Sequence, residues 1–260
     1  MAVNELWVNE DLQTLIGNEN PFTYFLKQDG EVFRALENRR TFAVELANKR
    51  YFIKYHRGVG SGEIMKNLVR GRLPVISARN EYRAIRRLRD LGISLPVIAA
   101  FGVRGFLPWT RESFIVTEDV GTQENLEDYT RDWTRKRPAF HDKQSLLTEV
   151  VSISRLMHDH QVCHRDYYLC HFMMAAQGGN RLTVLDLHRA LVKRKLAQRW
   201  VIKDVAALYF SAMDIGLTQR DLFRFMRQYT GKSLGRTLSE DSLFWQAVDA
   251  RARRLKGRHG

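Results

Sequence analysis

The chain has 260 residues, 44% of them hydrophobic and 11% aromatic, enough to bury a sizeable core as one large domain or two lobes of ordinary size. With only five prolines and no compositional bias, it is neither collagen-like nor disordered in character. Its 42 Lys and Arg against 29 Asp and Glu leave a net charge of +13, which calls for an acidic partner or surface without choosing among nucleic acid, anionic lipid, phosphorylated glycolipid and acidic protein.

From Met1 to Asp11 no basic region precedes an apolar stretch, so no secretory signal is read there. The most apolar stretches, Ile93 to Val103 and Val201 to Leu217, are broken by Pro96 and Gly102 and by Lys203 and Asp214. A membrane span needs ~20 consecutive apolar residues, so neither qualifies, and cytoplasmic residence is the expectation.

Residues 31–56 read as antiparallel strands. Phe42, Val44 and Leu46 alternate with other residues, a turn is expected at Ala47-Asn48-Lys49-Arg50, and Tyr51 to Tyr55 is rich in strand formers. A helix is expected from Ser77 to Leu91, stopped by Gly92. Its apolar face carries Ala78, Tyr82, Ile85 and Leu88, and also Glu81, a carboxylate that needs a partner there. Phe114-Ile115-Val116 reads as a buried strand ending at Thr117-Glu118-Asp119.

Beyond Gly121 helical patterns dominate: Ser145 to His158, Trp200 to Met213, and a helix capped by Thr218-x-x-Asp221 that runs through Phe225. Between them Val184 to Leu187 reads as a short strand, and the basic tail from Arg251 to Gly260 is expected to fray. Cys163 and Cys170 are too few for a disulfide scaffold and read as reduced thiols.

The chemistry is carried by His164-Arg165-Asp166, followed twenty residues later by Asp186. With Lys54 on an early strand and Glu81 on the next helix, this is the order of parts in a protein-kinase active site. Phosphoryl transfer asks for charge neutralisation and in-line positioning rather than covalent chemistry. Lys54 would hold the α- and β-phosphates of ATP and Glu81 would fix Lys54. Asp166 would take or orient the acceptor's hydroxyl proton, with His164 and Arg165 counted among the catalytic group. Asp186 would coordinate Mg²⁺, a hard cation that prefers carboxylate oxygen. These far-separated residues are expected to meet in a cleft between two lobes.

Several segments carry a resemblance. Tyr51-Phe-Ile-Lys-Tyr-His-Arg-Gly, Leu73-Pro-Val, Ser113-Phe-Ile-Val-Thr-Glu-Asp, Cys163-His-Arg-Asp-Tyr-Tyr-Leu-Cys-His-Phe, Leu185-Asp-Leu-His-Arg-Ala, Lys203-Asp-Val-Ala-Ala-Leu-Tyr-Phe-Ser and Asp214-Ile-Gly-Leu-Thr-Gln-Arg-Asp resemble the lipopolysaccharide core heptose(I) kinase family, from about Pro21 to Tyr229. The resemblance implies an α+β, bilobal protein-kinase-like fold, with a small antiparallel-sheet N-lobe over 1–120 and a helical C-lobe over 121–260. It implies transfer of phosphate to the first heptose of the lipopolysaccharide inner core, at the cytoplasmic face of the inner membrane, with transient contact with the membrane surface. It also implies acyl carrier protein as an acidic partner.

The departures from the protein-kinase pattern matter. No glycine-rich loop lies between the first strands, where the chain reads Leu36-Glu-Asn-Arg-Arg-Thr41. Arg39 or Arg40 would partly replace backbone cradling of phosphate, or the segment is a solvated turn. Glu118, ending its strand, is a further nucleotide-side candidate. His171 stands where an asparagine normally binds a second Mg²⁺. Imidazole is a poor Mg²⁺ ligand, so either one metal suffices or His171 donates a hydrogen bond to the nucleotide or to Asp166. Asp186-Leu187-His188 keeps the metal aspartate without its glycine, and the short stretch to Lys203 suits a constitutive small-substrate kinase. Asp204 either anchors the catalytic loop or interacts with a helix start.

Gly58-Val-Gly-Ser-Gly62 lacks the ending of a Walker motif and reads as a connection. The nearby histidines and cysteines lack zinc spacing. Arg70, Arg72, Arg79 and the arginines of the Glu81 helix suit an anionic acceptor, while aromatic-interleaved nucleic-acid motifs are absent. The residues alone leave open a kinase for another core sugar, such as a second heptose or Kdo, for an aminoglycoside-like molecule, or a basic binding module without catalysis.

Overall fold

A computed structural model of the chain describes residues 5–36, 38–58, 77–107, 109–121, 124–174 and 181–259. The end of the glycine-rich stretch from Val59, the Leu73-Pro-Val segment, Arg70 and Arg72 lie outside the described residues. The chain forms two compact units, one of residues 1–85 and 96–120, the other of 86–95 and 121–260.

The first unit is built on a six-stranded antiparallel sheet. Its strands are β1 (Glu5–Val8), β2 (Glu31–Leu36), β3 (Arg39–Leu46), β4 (Lys49–His56), β5 (Ile98–Arg104) and β6 (Glu112–Glu118), in the order β1-β5-β6-β4-β3-β2. The β3–β4 turn is shorter than the four residues expected. Only Ala47 (φ 48°) and Asn48 (φ 62°) turn, both left-handed as two-residue hairpins of the primed class require, and Lys49 already pairs with Leu46.

Period-two alternation then sorts β4. Tyr51, Ile53 and Tyr55 are buried in the core with Phe42, Val44, Phe114 and Val116, which sends Lys54 to the opposite face. Two helices absent from the sequence reading, α1 (Glu10–Ile16) and α2 (Pro21–Lys27), cover the core through Leu12, Ile16, Phe22 and Phe25. Each is capped by an asparagine side chain, Asn9 on Leu12 N–H and Asn20 on Phe22 N–H. Gly102 is needed beneath Phe114, whose ring lies 2.5 Å from where a Cβ would stand.

Helix α3 (Arg79–Arg89) is two residues shorter at each end than expected. Ser113 Oγ accepts from the buried Ala78 N–H at 3.0 Å, and Tyr82 stacks on Phe101 at 3.9 Å, which fix the helix start against the sheet.

The second unit is helical: α4 (Leu126–Thr130), α5 (Phe140–Asp159), α6 (Gln198–Ala212), α7 (Gln219–Thr230), α8 (Leu234–Glu240) and α9 (Ser242–His259). Two short antiparallel pairs interrupt it, β7 (Val162–Cys163) with β10 (Leu191–Val192), and β8 (Phe172–Met174) with β9 (Leu182–Val184). The Thr218–Asp221 capping box opens α7, which continues five residues past Phe225 to the left-handed Gly231.

Two expectations are corrected here. The basic tail does not fray: it is the end of α9, because Val248 and the fully buried Ala252, four residues apart, pack with Val205 and Ala206 of α6. Asp186 is not on a strand. β9 ends at Val184, and Asp186 adopts a left-handed conformation (φ 58°, ψ 49°) that opens a 3-10 turn over Leu187–Arg189. Such backbone costs roughly 1–3 kcal/mol and points to a demand at that position.

Candidate active site

In the first unit, Lys54 Nζ donates to Glu81 Oε1 at 2.7 Å, with side-chain exposures of 15% and 5%. The pair accounts for a carboxylate on the apolar face of α3. Glu81 Oε2 is also buried and accepts no hydrogen bond among the described residues.

Arg39 and Arg40 open β3. The Arg40 guanidinium lies 4.3 Å from the Phe42 ring centroid and 4.0 Å from Asp29. Glu118 closes β6 opposite Tyr51, its N–H donating to the Val97 carbonyl at 2.8 Å.

In the second unit the chemistry-bearing loop hangs on Asp204, which is fully buried in the second turn of α6, not at its start. Its Oδ2 accepts the His164 N–H at 2.6 Å and its Oδ1 the Arg165 N–H at 2.7 Å. This is the anchoring alternative for Asp204. Arg165 bridges the loop at φ 75°.

His164 Nε2 lies 2.8 Å from the Leu185 carbonyl, which can only accept, so Nε2 carries the proton. Its Nδ1 faces the Asp166 N–H at 3.4 Å. Burial pushes the His164 pKa down, which keeps the ring neutral. Arg165 lays its guanidinium over Trp200, 5.2 Å from the ring centroid, and donates to the Arg189 carbonyl at 3.4 Å. His164 and Arg165 are 0% and 6% exposed, and their side chains meet the main-chain carbonyls of Leu185 and Arg189.

Asp166 is gripped by residues that the sequence did not single out. Arg189 Nη1 donates to both of its carboxylate oxygens, at 2.9 and 3.1 Å. Lys203 Nζ stands 3.8 Å from Asp166 Oδ1 and also donates to the Arg165 carbonyl. Burial lowers the Lys203 pKa, and Asp166 works against that shift. The only signals were proximity: Arg189 follows Asp186 by three positions, and Lys203 precedes Asp204.

His171 is a donor to Asp166, through the main chain: its Nδ1 lies 2.6 Å from the Asp166 carbonyl. In the neutral ring this leaves the Nε2 lone pair facing Asp186 Oδ2, 3.9 Å away. His188 Nδ1, also unforeseen, holds Asp186 Oδ1 at 2.7 Å.

Asp186 offers the carboxylate oxygen that a hard divalent cation prefers, whereas the imidazole of His171, 3.9 Å from it, suits such a cation poorly. Among the described residues no group of three or more His, Cys, Asp and Glu side chains stands together as a metal site. Cys163 is buried, and burial pushes its thiol up to about 12. Elsewhere in this unit Leu126, Leu147, Leu169, Leu208, Phe225 and Trp245 line part of an apolar cavity of about 480 Å³.

The pattern of the Lipopolysaccharide kinase (Kdo/WaaP) family matches residues 23–229. The lipopolysaccharide core heptose(I) kinase WaaP of Escherichia coli is 42% identical over 256 residues, 96% of this chain and 97% of that one. Its counterpart from Pseudomonas aeruginosa is 40% identical over 263 residues, 98% of each. A solved structure, WaaP in complex with acyl carrier protein, superposes with a TM-score of 0.85 at 36% identity, over 96% of this chain and 99% of that one.

Proposed function

The chain belongs to the lipopolysaccharide kinase (Kdo/WaaP) family, and from that membership we propose that it transfers the γ-phosphate of ATP to a hydroxyl of the first heptose of the lipopolysaccharide inner core. The acceptor oxygen forms a bond to the γ-phosphorus while the bond from that phosphorus to the bridging oxygen breaks. ADP leaves with the electron pair, and the hydroxyl proton passes to Asp166.

The observation that carries the reading is the grip on Asp166. A carboxylate held on both oxygens by Arg189, on a loop whose main chain is fastened to the buried Asp204, suits a group that must meet an acceptor hydroxyl in one orientation.

The other residues take roles around it. Lys54, oriented by Glu81, neutralises the nucleotide's α- and β-phosphates. Arg39 and Arg40 serve the phosphates where kinases use a glycine-rich loop, and Glu118 serves the nucleotide. Asp186 would hold Mg²⁺, with His188 fixing its carboxylate and His171 standing beside it. The cation's contribution is to offset charge on the phosphate oxygens as the bond breaks. His164 and Arg165 keep the loop in place.

The same reading extends to a partner and a location. Acyl carrier protein is the partner named with the solved relative, and a net charge of +13 complements an acidic carrier. The apolar cavity of the helical unit suits an acyl chain. Work at the cytoplasmic face of the inner membrane belongs to the same proposal.

The test is transfer of labelled γ-phosphate to three defined acceptors: lipid A with Kdo alone, the same core extended by the first heptose, and one extended by the second. Labelling is expected to begin with the first heptose. Labelling of the Kdo-only acceptor, or labelling that needs the second heptose, would sink the assignment.

A further inference from the structure

The tip of the β5–β6 hairpin holds apolar side chains in the open. Phe106 is 67% exposed, Trp109 54% and Leu107 40%. Single exposed apolar residues are ordinary, but three within four positions of one turn make a patch that asks for a partner. On the neighbouring strand β1, Leu6 (53% exposed) lies opposite Gly102 and Trp7 (45%) opposite Phe101.

The tip is also firmly built. Gly105 turns at φ 88°, where a Cβ would stand 2.3 Å from the Thr110 carbonyl oxygen. Arg111 donates to the Phe106 carbonyl at 2.9 Å, and the Thr110 N–H to that of Leu107 at 3.0 Å. Gly58, just past β4, runs so close to the tip that a Cβ there would meet the Trp109 carbonyl oxygen at 1.9 Å. This brings the exposed Arg57 alongside, so the turn presents aromatic side chains beside an exposed arginine.

We propose that this hairpin tip is a membrane-docking element that seats Phe106, Leu107 and Trp109 in the headgroup region of an anionic phospholipid bilayer, with the exposed Arg57 at the lipid phosphates. Trp and Phe favour that depth because their rings combine apolar area with tolerance of a polar boundary. Basic residues near the surface add attraction to anionic lipid, and the chain's net charge of +13 has the complementary sign. A bilayer accepts protruding side chains without a matching pocket, which a protein partner would have to supply. Among the described residues no helix is long and apolar enough to cross a membrane, and the hairpin provides a superficial mode of contact. For its purpose the inference rests on the proposed lipid-linked acceptor; its test does not.

The test is co-sedimentation of the full chain, without ATP or acceptor, with vesicles of phosphatidylethanolamine and phosphatidylglycerol, and with vesicles of phosphatidylcholine alone. The chain is expected to bind the anionic vesicles, less so as salt rises. The double variant Phe106→Ser/Trp109→Ser is expected to partition at least about tenfold more weakly, with an unchanged melting temperature and unchanged phosphate transfer to a delipidated, water-soluble core. Should that variant fold poorly, tryptophan quenching by brominated lipid decides instead: the parent is quenched, and Trp109→Phe loses part of that quenching. The proposal is overturned if the parent ignores anionic vesicles, if the double variant binds them as the parent does, if brominated lipid leaves the parent unquenched, or if the substitutions abolish binding to acyl carrier protein while vesicle binding survives.

Discussion

One nitrogen of Arg189 donates to both carboxylate oxygens of Asp166, at 2.9 and 3.1 Å. The two residues are 23 positions apart, and the 3-10 turn that follows Asp186 delivers the guanidinium to the loop that carries Asp166. Arg189 acts through Asp166, so its removal should alter turnover more than nucleotide affinity. Arg189→Ala is expected to lower kcat by roughly ten- to a hundredfold with little change in the KM for ATP, and Arg189→Lys to restore part of the loss. Steady-state kinetics with ATP varied at saturating acceptor checks this; a raised KM with unchanged kcat would assign Arg189 to nucleotide binding.

Glu81 holds Lys54 at 2.7 Å with both side chains largely buried. Glu81→Gln keeps the shape and removes the charge. Phosphate transfer is expected to fall on the order of a hundredfold, the scale of losing one aligned electrostatic contact to the reacting phosphates, with Lys54→Met at least as severe. Glu81→Gln should keep the parent's circular dichroism spectrum, whereas Lys54→Met, which leaves the buried Glu81 carboxylate without this partner, is expected to lower the unfolding midpoint as well.

Asp204 satisfies two buried N–H groups at once, those of His164 and Arg165. Asp204→Ala strands both and is expected to cost about 2–5 kcal/mol in urea unfolding. Asp204→Asn keeps one accepting oxygen and should cost less. Equal stability of the alanine variant and the parent would remove the anchoring role.

Asp221 is fully buried. Burial works to raise its pKa, but hydrogen bonds from Lys143 and Thr218 outweigh it and bring the carboxyl down from 3.8 to about 2. A depressed folded-state pKa means stability that is present above pH ~4 and lost as pH falls toward 2. The stability gap between the parent and Asp221→Asn is therefore expected to be on the order of 2 kcal/mol above pH 4 and to shrink as pH falls toward 2. Chemical denaturation across that range checks it; a gap that stays constant with pH would contradict the linkage.

Much of this was legible from local pattern. The alternation of Tyr51, Ile53 and Tyr55 assigns Lys54 to the other face of β4, and a carboxylate on the apolar stripe of α3 announces its partner. Where the sequence misled, tertiary structure had overridden a local signal. Val184-Leu185-Asp186-Leu187 reads as strand, but β9 ends at Val184, and the left-handed backbone at Asp186 opens the turn that carries Arg189 to Asp166. Charge density hid the helix at the C-terminus because its anchor is a sparse stripe, Val248 and Ala252, that has meaning only against α6. β1 is four residues long and gains its identity from pairing with β5, which no local window contains. His164 and Arg165 lie next to Asp166 in sequence, and only the folded structure shows that these two are buried while Asp166 is not.

The measurement that bears most directly on the central claim is tandem mass spectrometry of a truncated inner core after incubation with the full chain and Mg-ATP. The expected product carries one added phosphate on the first heptose, and it is absent with Asp166→Ala although that variant still binds ATP. A core that gains no phosphate, a phosphate on any other sugar, or an Asp166→Ala variant that transfers as the parent does would contradict it.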